Sequence, residues 1–217
     1  MEPVTHDPRV DLHRYDFAPN SVWQFRLPDS ARLNADLAAM IRRERAAVPV
    51  SRVCAGRNMW QSQRQVSDEP PVREVFTYIF QAARQVADFL DWDVDGLEPR
   101  VQVCWANIHH QGSYHTRHIH PATTQLSGTY YVEAPPGCGD IVFHDLSRFL
   151  GLWGAAPKTR RVNAHTRAQY SISPEPGLCV LFPAYLVHEV EVNAAGGDRL
   201  GLAFNINFEA SGEASGP

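Results

Sequence analysis

The chain has 217 residues, 44% hydrophobic and 20% charged, with a formal net charge of −4. That length and balance suit one sizeable core and exclude wholesale disorder, and no apolar run approaches the roughly 20 residues that cross a bilayer. With 20 basic against 24 acidic residues there is no cationic field to draw the chain to nucleic acid.

The N-terminus, MEPVTHDPRV, has no apolar signal segment, so a cytoplasmic protein is the expectation. Cys54, Cys104, Cys138 and Cys179 form no CxxC pair and read as reduced thiols. The domain reading is one unit over 1–217, with a helical part over about 20–97 and a β core over about 98–209. Oligomeric state is left open, a homodimer being one option.

From Pro28 to about Val48, Leu33, Leu37, Met40 and Ile41 recur at helical spacing, with Asp29 or Ser30 as N-cap. Residues 49–69 read as loop with one strand at most. A stronger helix spans Pro70 to Asp91, where Val72, Val75, Phe76, Ile79, Ala83, Val86 and Ala87 form an apolar stripe.

From about residue 99 the period becomes two. Val101, Val103 and Trp105 alternate, as do Tyr130 and Val132 against Tyr131 and Glu133. Short β-like runs follow at 140–144, 168–173, 178–182, 186–192 and 200–208. Such a series predicts a mainly β sandwich or barrel with helices packed on one sheet. The tail SGEASGP is small and polar.

Six of the ten histidines fall between 109 and 144. In a strand, residues i and i+2 share a face, so His118 and His120 can converge on one ion. His188 follows a buried run and a turn at Pro183, and Arg199 opens an apolar strand, where its guanidinium needs an anionic partner. Each feature alone has a plainer reading: a hydrogen-bonded histidine, a histidine-rich loop, a surface ion pair. Their joint order is harder to produce without a site.

The segments Trp105-Ala106-Asn107, HxHP at 118–121, LSGTYYV at 126–132, Gly139-Asp140-Ile141-Val142-Phe143, PGLCVLFPAYLVHEV at 176–190 and RLGLAFNIN at 199–207 resemble the iron(II)- and 2-oxoglutarate-dependent oxygenases. They are most similar to a small bacterial branch with an HxH…H motif. Trp60-Gln61-Ser62 is a weaker echo. The resemblance covers about residues 20–208 and implies a double-stranded β-helix, or jelly roll.

It also implies that His118, His120 and His188 hold Fe(II) and that Arg199 binds the C5 carboxylate of the co-substrate 2-oxoglutarate. Tyr131, thirteen residues after His118, occupies a position that helps hold that carboxylate in some relatives. Asn107 and Asn205 are further candidates for the co-substrate pocket. The implied reaction is O2-dependent hydroxylation of a C–H bond in an amino acid, peptide or polar natural product, with release of succinate and CO2. With His120 as a ligand, six octahedral positions leave none for chloride, so hydroxylation is expected over halogenation.

Two positions depart from the superfamily pattern. Histidine stands at 120 where a carboxylate is usual, which removes one negative charge from the metal centre. Glycine stands at 201 where Arg-x-Ser would place a hydroxyl, leaving Tyr131 or Thr129 to supply one. Two alternatives remain: a three-histidine cupin dioxygenase or isomerase that does not use 2-oxoglutarate, and a non-catalytic jelly-roll binding module. Tyr114, His115, His144, Asp145, Trp153, Arg160 and Arg161 are the polar and aromatic residues expected near the site, and 146–167 is the expected lid.

Overall fold

The computed structural model describes residues 20–28, 30–52, 56–145, 160, 161, 163 and 166–210. Among them are nine strands: β1 (Trp23–Arg26), β2 (Gly56–Gln61), β3 (Leu97–His118), β4 (Leu126–Glu133), β5 (Ile141–His144), β6 (Gln169–Ile172), β7 (Leu178–Pro183), β8 (Val187–Val190) and β9 (Arg199–Ala210). They form a single sheet in the order β1-β7-β4-β9-β3-β8-β5-β6, with β2 added on β3. Every pairing is antiparallel and neighbours in space are rarely neighbours in sequence. This curled arrangement is the expected jelly roll.

Two helices, α1 (Ser30–Ala47) and α2 (Pro70–Phe89), pack on one face of it. The prolines at 70 and 71 sit in the first turn of α2, where a missing N–H costs nothing. The helix closes at Asp91, whose φ is 51°, with the Trp92 N–H donating to the Ala87 carbonyl at 3.0 Å. Leu37 and Ile41 of α1 and Val75, Phe76 and Ile79 of α2 form one core with Cys104, Ala106 and Ile108 of β3, Tyr130 and Val132 of β4, and Leu202, Phe204 and Ile206 of β9. The Tyr130 hydroxyl donates to Asn34 Oδ1 at 2.6 Å, tying α1 to β4. The alternate residues of these strands face a cavity on the other side.

Two details differ from the sequence reading. The β3–β9 register shifts between Val101 and Val103, so Val101 pairs with Ile206 on the helix-covered face while Val103 and Trp105 face the other way. One extra residue in a strand reverses every side chain beyond it. β1 is an additional strand, paired to β7. The one strand allowed within 49–69 is β2, which pairs with β3. Residues 146–159, which make up most of the expected lid, lie outside the described residues, as do Asp29, Cys54, Trp153 and the tail 211–217. No described helix is long and apolar enough to cross a membrane.

Candidate active site

β3 and β8 place His118 directly opposite His188 in register. The expected i, i+2 alternation is not what adds His120, because β3 ends at His118. His120 lies in the turn beyond, where its N–H donates to the Ala184 carbonyl at 3.1 Å, between β7 and β8. The ring centroids lie 4.2 Å apart for His118 and His188, 5.1 Å for His120 and His188, and 5.3 Å for His118 and His120. One nitrogen from each lies within 4.8 Å of the other two.

The ring partners define which nitrogens are open. His118 Nδ1 lies 2.8 Å from the Thr116 carbonyl and His188 Nδ1 lies 2.8 Å from the Leu186 carbonyl. A carbonyl can only accept, so Nδ1 carries the proton in each ring and Nε2 is left with its lone pair. Ser127 Oγ meets His120 Nε2 at 2.8 Å, and with that contact kept Nδ1 is the open nitrogen. Burial, reinforced by repulsion from His118, pushes His120 down to about 4 and His188 to about 3. His118 is lowered too, chiefly by burial. Three neutral, oriented imidazoles with no carboxylate among them suit a borderline transition ion such as Fe(II).

His115 stacks near His118, with centroids 4.4 Å apart, but is not part of the converging nitrogen set. Its pKa falls to about 4, first by burial and then by the neighbouring His118.

The histidines open into a cavity of about 370 Å³. Its walls are the faces of β3, β4 and β9 turned away from the helices, including Trp105, Asn107, Thr129, Tyr131, Gly201 and Asn205. Arg199 is buried at 3% exposure and its Nη1 donates to the Cys138 and Gly139 carbonyls at 2.9 and 2.8 Å. Gly139 is at φ 86°, and a Cβ there would lie 2.3 Å from the Glu191 carbonyl oxygen, so the turn that receives Arg199 needs glycine. Among the described residues no carboxylate pairs with this guanidinium. The Tyr131 ring lies 6.0 Å from the guanidinium carbon, and burial raises its phenol pKa. A buried cation with one edge fixed and no carboxylate beside it among the described residues has the chemistry to receive one.

Asn107 Oδ1 accepts from Gln61 Nε2 at 3.0 Å, so the Trp60-Gln61-Ser62 echo contributes a cavity residue. Arg52 caps the Trp105 ring at 4.6 Å. Of the other residues expected near the site, His144 turns to Glu189, with Nε2 to Oε1 at 3.0 Å, and Arg160 and Arg161 are exposed. Sequence reasoning passed over Ser127, Arg52 and His109. The period-two pattern through Trp105 and Asn107 reaches His109 on the same face, and that was the available signal.

A family model described as "Putative 2OG-Fe(II) oxygenase" matches residues 103–205. No curated protein matches the chain. Among solved structures, the chain is similar to a Pseudomonas putida prolyl-4-hydroxylase, at 18% identity and TM-score 0.62, covering 89% of this chain and 94% of that one. It is also similar to a Trichoplax adhaerens prolyl hydroxylase in complex with a hypoxia inducible factor peptide, at 13% identity and TM-score 0.57, covering 86% and 83%. HygX from Streptomyces hygroscopicus, with nickel, 2-oxoglutarate and hygromycin B bound, matches at 12% identity and TM-score 0.55, covering 87% and 83%. At these identities the likeness to solved structures establishes the fold.

Proposed function

We propose that the chain is an iron(II)- and 2-oxoglutarate-dependent oxygenase, a reading supported by the family model over residues 103–205, and that it hydroxylates a C–H bond of a small polar molecule or a peptide, with His118, His120 and His188 holding the iron and Arg199 the C5 carboxylate of 2-oxoglutarate. The observation that carries this reading is the shared cavity: three converging imidazole nitrogens at one place in it and a carboxylate-free buried guanidinium at another.

Iron with 2-oxoglutarate supplies the oxidising chemistry, in which dioxygen is consumed, 2-oxoglutarate becomes succinate and CO2, and one oxygen atom enters the substrate. The chain's own residues bind, orient and exclude water. The carbonyls of Thr116 and Leu186 fix the rings of His118 and His188 by accepting their Nδ1 protons. Arg199, anchored on Cys138 and Gly139, sets the depth to which the co-substrate enters. Tyr131, Ile141 and Phe182 give that part of the cavity apolar walls, which keep the carboxylate–guanidinium pair out of water. Asn107 and Asn205 present amides to the same space, and the Gln61–Asn107 bond holds one of them in place.

The cavity supports this substrate class by its modest volume, shared with 2-oxoglutarate, and by its lining of Trp105, Met59 and Ile119 with amides among them. A small polar molecule or a single residue of a peptide fits such a space, and the solved neighbours that carry a peptide or hygromycin B are consistent with either choice.

The test is an anaerobic titration of Fe(II)-loaded protein with 2-oxoglutarate. A metal-to-ligand charge-transfer absorption is expected, followed in air by succinate formation that a substrate accelerates. Iron binding with no such absorption would transfer the site to the three-histidine cupin reading. No stoichiometric iron at all would leave a binding module.

A further inference from the structure

Arg199 has a partner that its own strand does not supply. The β3–β9 register sets His109 directly opposite Arg199, and the β2–β3 register sets Met59 on the other side of His109. Directly paired residues share a face of the sheet with Cβ atoms about 4.5–5.5 Å apart. His109 therefore lines the cavity beside the guanidinium. It is 7% exposed, and its Nδ1 is buried with no hydrogen-bond partner among the described residues. Met59, its apolar neighbour, offers nothing to that nitrogen. A buried polar nitrogen left unpaired costs stability, and one that faces a cavity is open to a ligand there.

Two other sources of a second donor near Arg199 are closed, and of the two hydroxyls expected there only that of Tyr131 still stands beside the guanidinium. At Gly201 a Cβ would lie 2.7 Å from the Tyr130 carbonyl oxygen, so a serine two residues after the arginine does not fit this sheet. The Thr129 hydroxyl is already donated to the Leu202 carbonyl at 3.1 Å. Arg199 spends Nη1 on the Cys138 and Gly139 carbonyls and also meets the Cys138 side chain, but among the described residues no carboxylate pairs with it.

We propose that His109 is a second anchor for the far carboxylate of 2-oxoglutarate, donating from Nδ1 to one carboxylate oxygen while Arg199 holds the other. This rests on the oxygenase reading above. Burial, helped by the positive charge of Arg199, keeps the imidazole neutral, so it adds a donor without a second cation. The anchor missing from position 201 is thereby moved one strand over, from β9 to β3.

The experiment compares 2-oxoglutarate with 2-oxopentanoate, which chelates a metal identically but ends in a methyl group. Each is titrated anaerobically into Fe(II)-loaded protein, with binding read from charge-transfer absorption and from calorimetry. In His109→Phe, affinity for 2-oxoglutarate should fall about tenfold or more, the worth of a hydrogen bond to a charged group, while that for 2-oxopentanoate stays unchanged. His109→Asn, which keeps a donor near the Nδ1 position, should recover much of the difference. His109→Leu serves as the donor-free variant if the larger ring does not fold. Equal weakening of both ligands, or of neither, overturns the role of His109. Absence of 2-oxoglutarate binding by the wild-type protein overturns the oxygenase reading, and this inference with it.

Discussion

Arg117 and Glu189 form a two-bond ion pair across β3 and β8, Nε to Oε2 at 3.2 Å and Nη2 to Oε1 at 2.9 Å. They occupy the rung next to His118 and His188, which face each other in register. Successive residues point to opposite faces, so the pair clamps from outside the two strands whose inner faces present imidazoles. Glu189 also meets His144 Nε2 at 3.0 Å, and Arg117 above all holds its carboxyl below the ordinary range.

Because both partners are partly exposed, their removal should change stability by only about 1 kcal/mol or less. Glu189→Gln should nonetheless weaken iron binding by loosening the spacing of His118 and His188. Competition with a chelator, alongside thermal melting, separates the two effects. Unchanged iron affinity would mean that the strands hold their spacing without the clamp.

His118→Ala, His120→Ala and His188→Ala should each lose iron while keeping the circular dichroism of the wild type, since the larger hydrophobic cluster lies on the other face of the sheet and the smaller one beside His188 is built from other side chains. His115→Ala should keep its iron. Retention of the metal by His120→Ala together with its loss from His115→Ala would reassign the third ligand.

Arg199→Ala should raise the 2-oxoglutarate requirement steeply, because truncating one partner of a desolvated charge pair costs about 2–5 kcal/mol. Iron affinity should change far less. An apparent KM for 2-oxoglutarate equal to the wild-type value would favour the cupin alternative. Melting should also drop, as the Cys138 and Gly139 carbonyls lose their donor.

Gly201→Ser, which restores the superfamily's Arg-x-Ser, should destabilise the protein instead of improving it. The new Cβ meets the Tyr130 carbonyl oxygen at 2.7 Å, and backbone must move to relieve it. Overpacking of this kind costs about 1–3 kcal/mol. Chemical denaturation measures it, and a stabilised or neutral variant would show that the β4–β9 contact is softer than its geometry.

Metal-free protein should lose stability on mild acidification. Burial holds His115 and His120 down to about 4 and His188 to about 3, against about 6.5 in an unfolded chain. Below 6.5 the unfolded state takes up protons that the folded state refuses, so stability rises with pH and falls as pH drops toward 4. The decline should be visible between pH 6.5 and 5, above the carboxylate range, in calorimetric melting. Bound iron should raise melting temperature across that window. A flat profile from pH 7 to 5 would contradict the burial of these rings.

The alternation after residue 99, the α2 stripe and the order HxH, His188, Arg199 were legible because each is a local pattern with a fixed period or spacing. What escaped depends on partners remote in sequence. The Gln102 bulge that sends Val101 to the helix side is visible only against β9. β1 has four residues and acquires its place from β7. His120 owes its position to the Ala184 carbonyl, not to a strand. His109 carried a readable period, but its meaning comes from Arg199 ninety positions later.

The two faces of β3, β4 and β9 also sort by parity of residue number. Trp105, Asn107, His109, Ser127, Thr129, Tyr131, Arg199, Gly201, Ala203 and Asn205 line the cavity, while Cys104, Ala106, Ile108, Leu126, Tyr130, Leu200 and Leu202 belong to the helix-packed core; Gly128 and Phe204 are even positions that also reach the cavity. Apart from Arg199 and Gly201, which also hold the backbone around them, substitution at an odd position bears first on what the protein accepts, and substitution in the even set first on what holds it together. Deletion of a single residue within β9 exchanges the two inventories, sending Arg199 or Asn205 under the helices and Leu200 or Leu202 into the cavity. These strands can therefore diversify by replacement but not by change of length, and indels are confined to the connections between them.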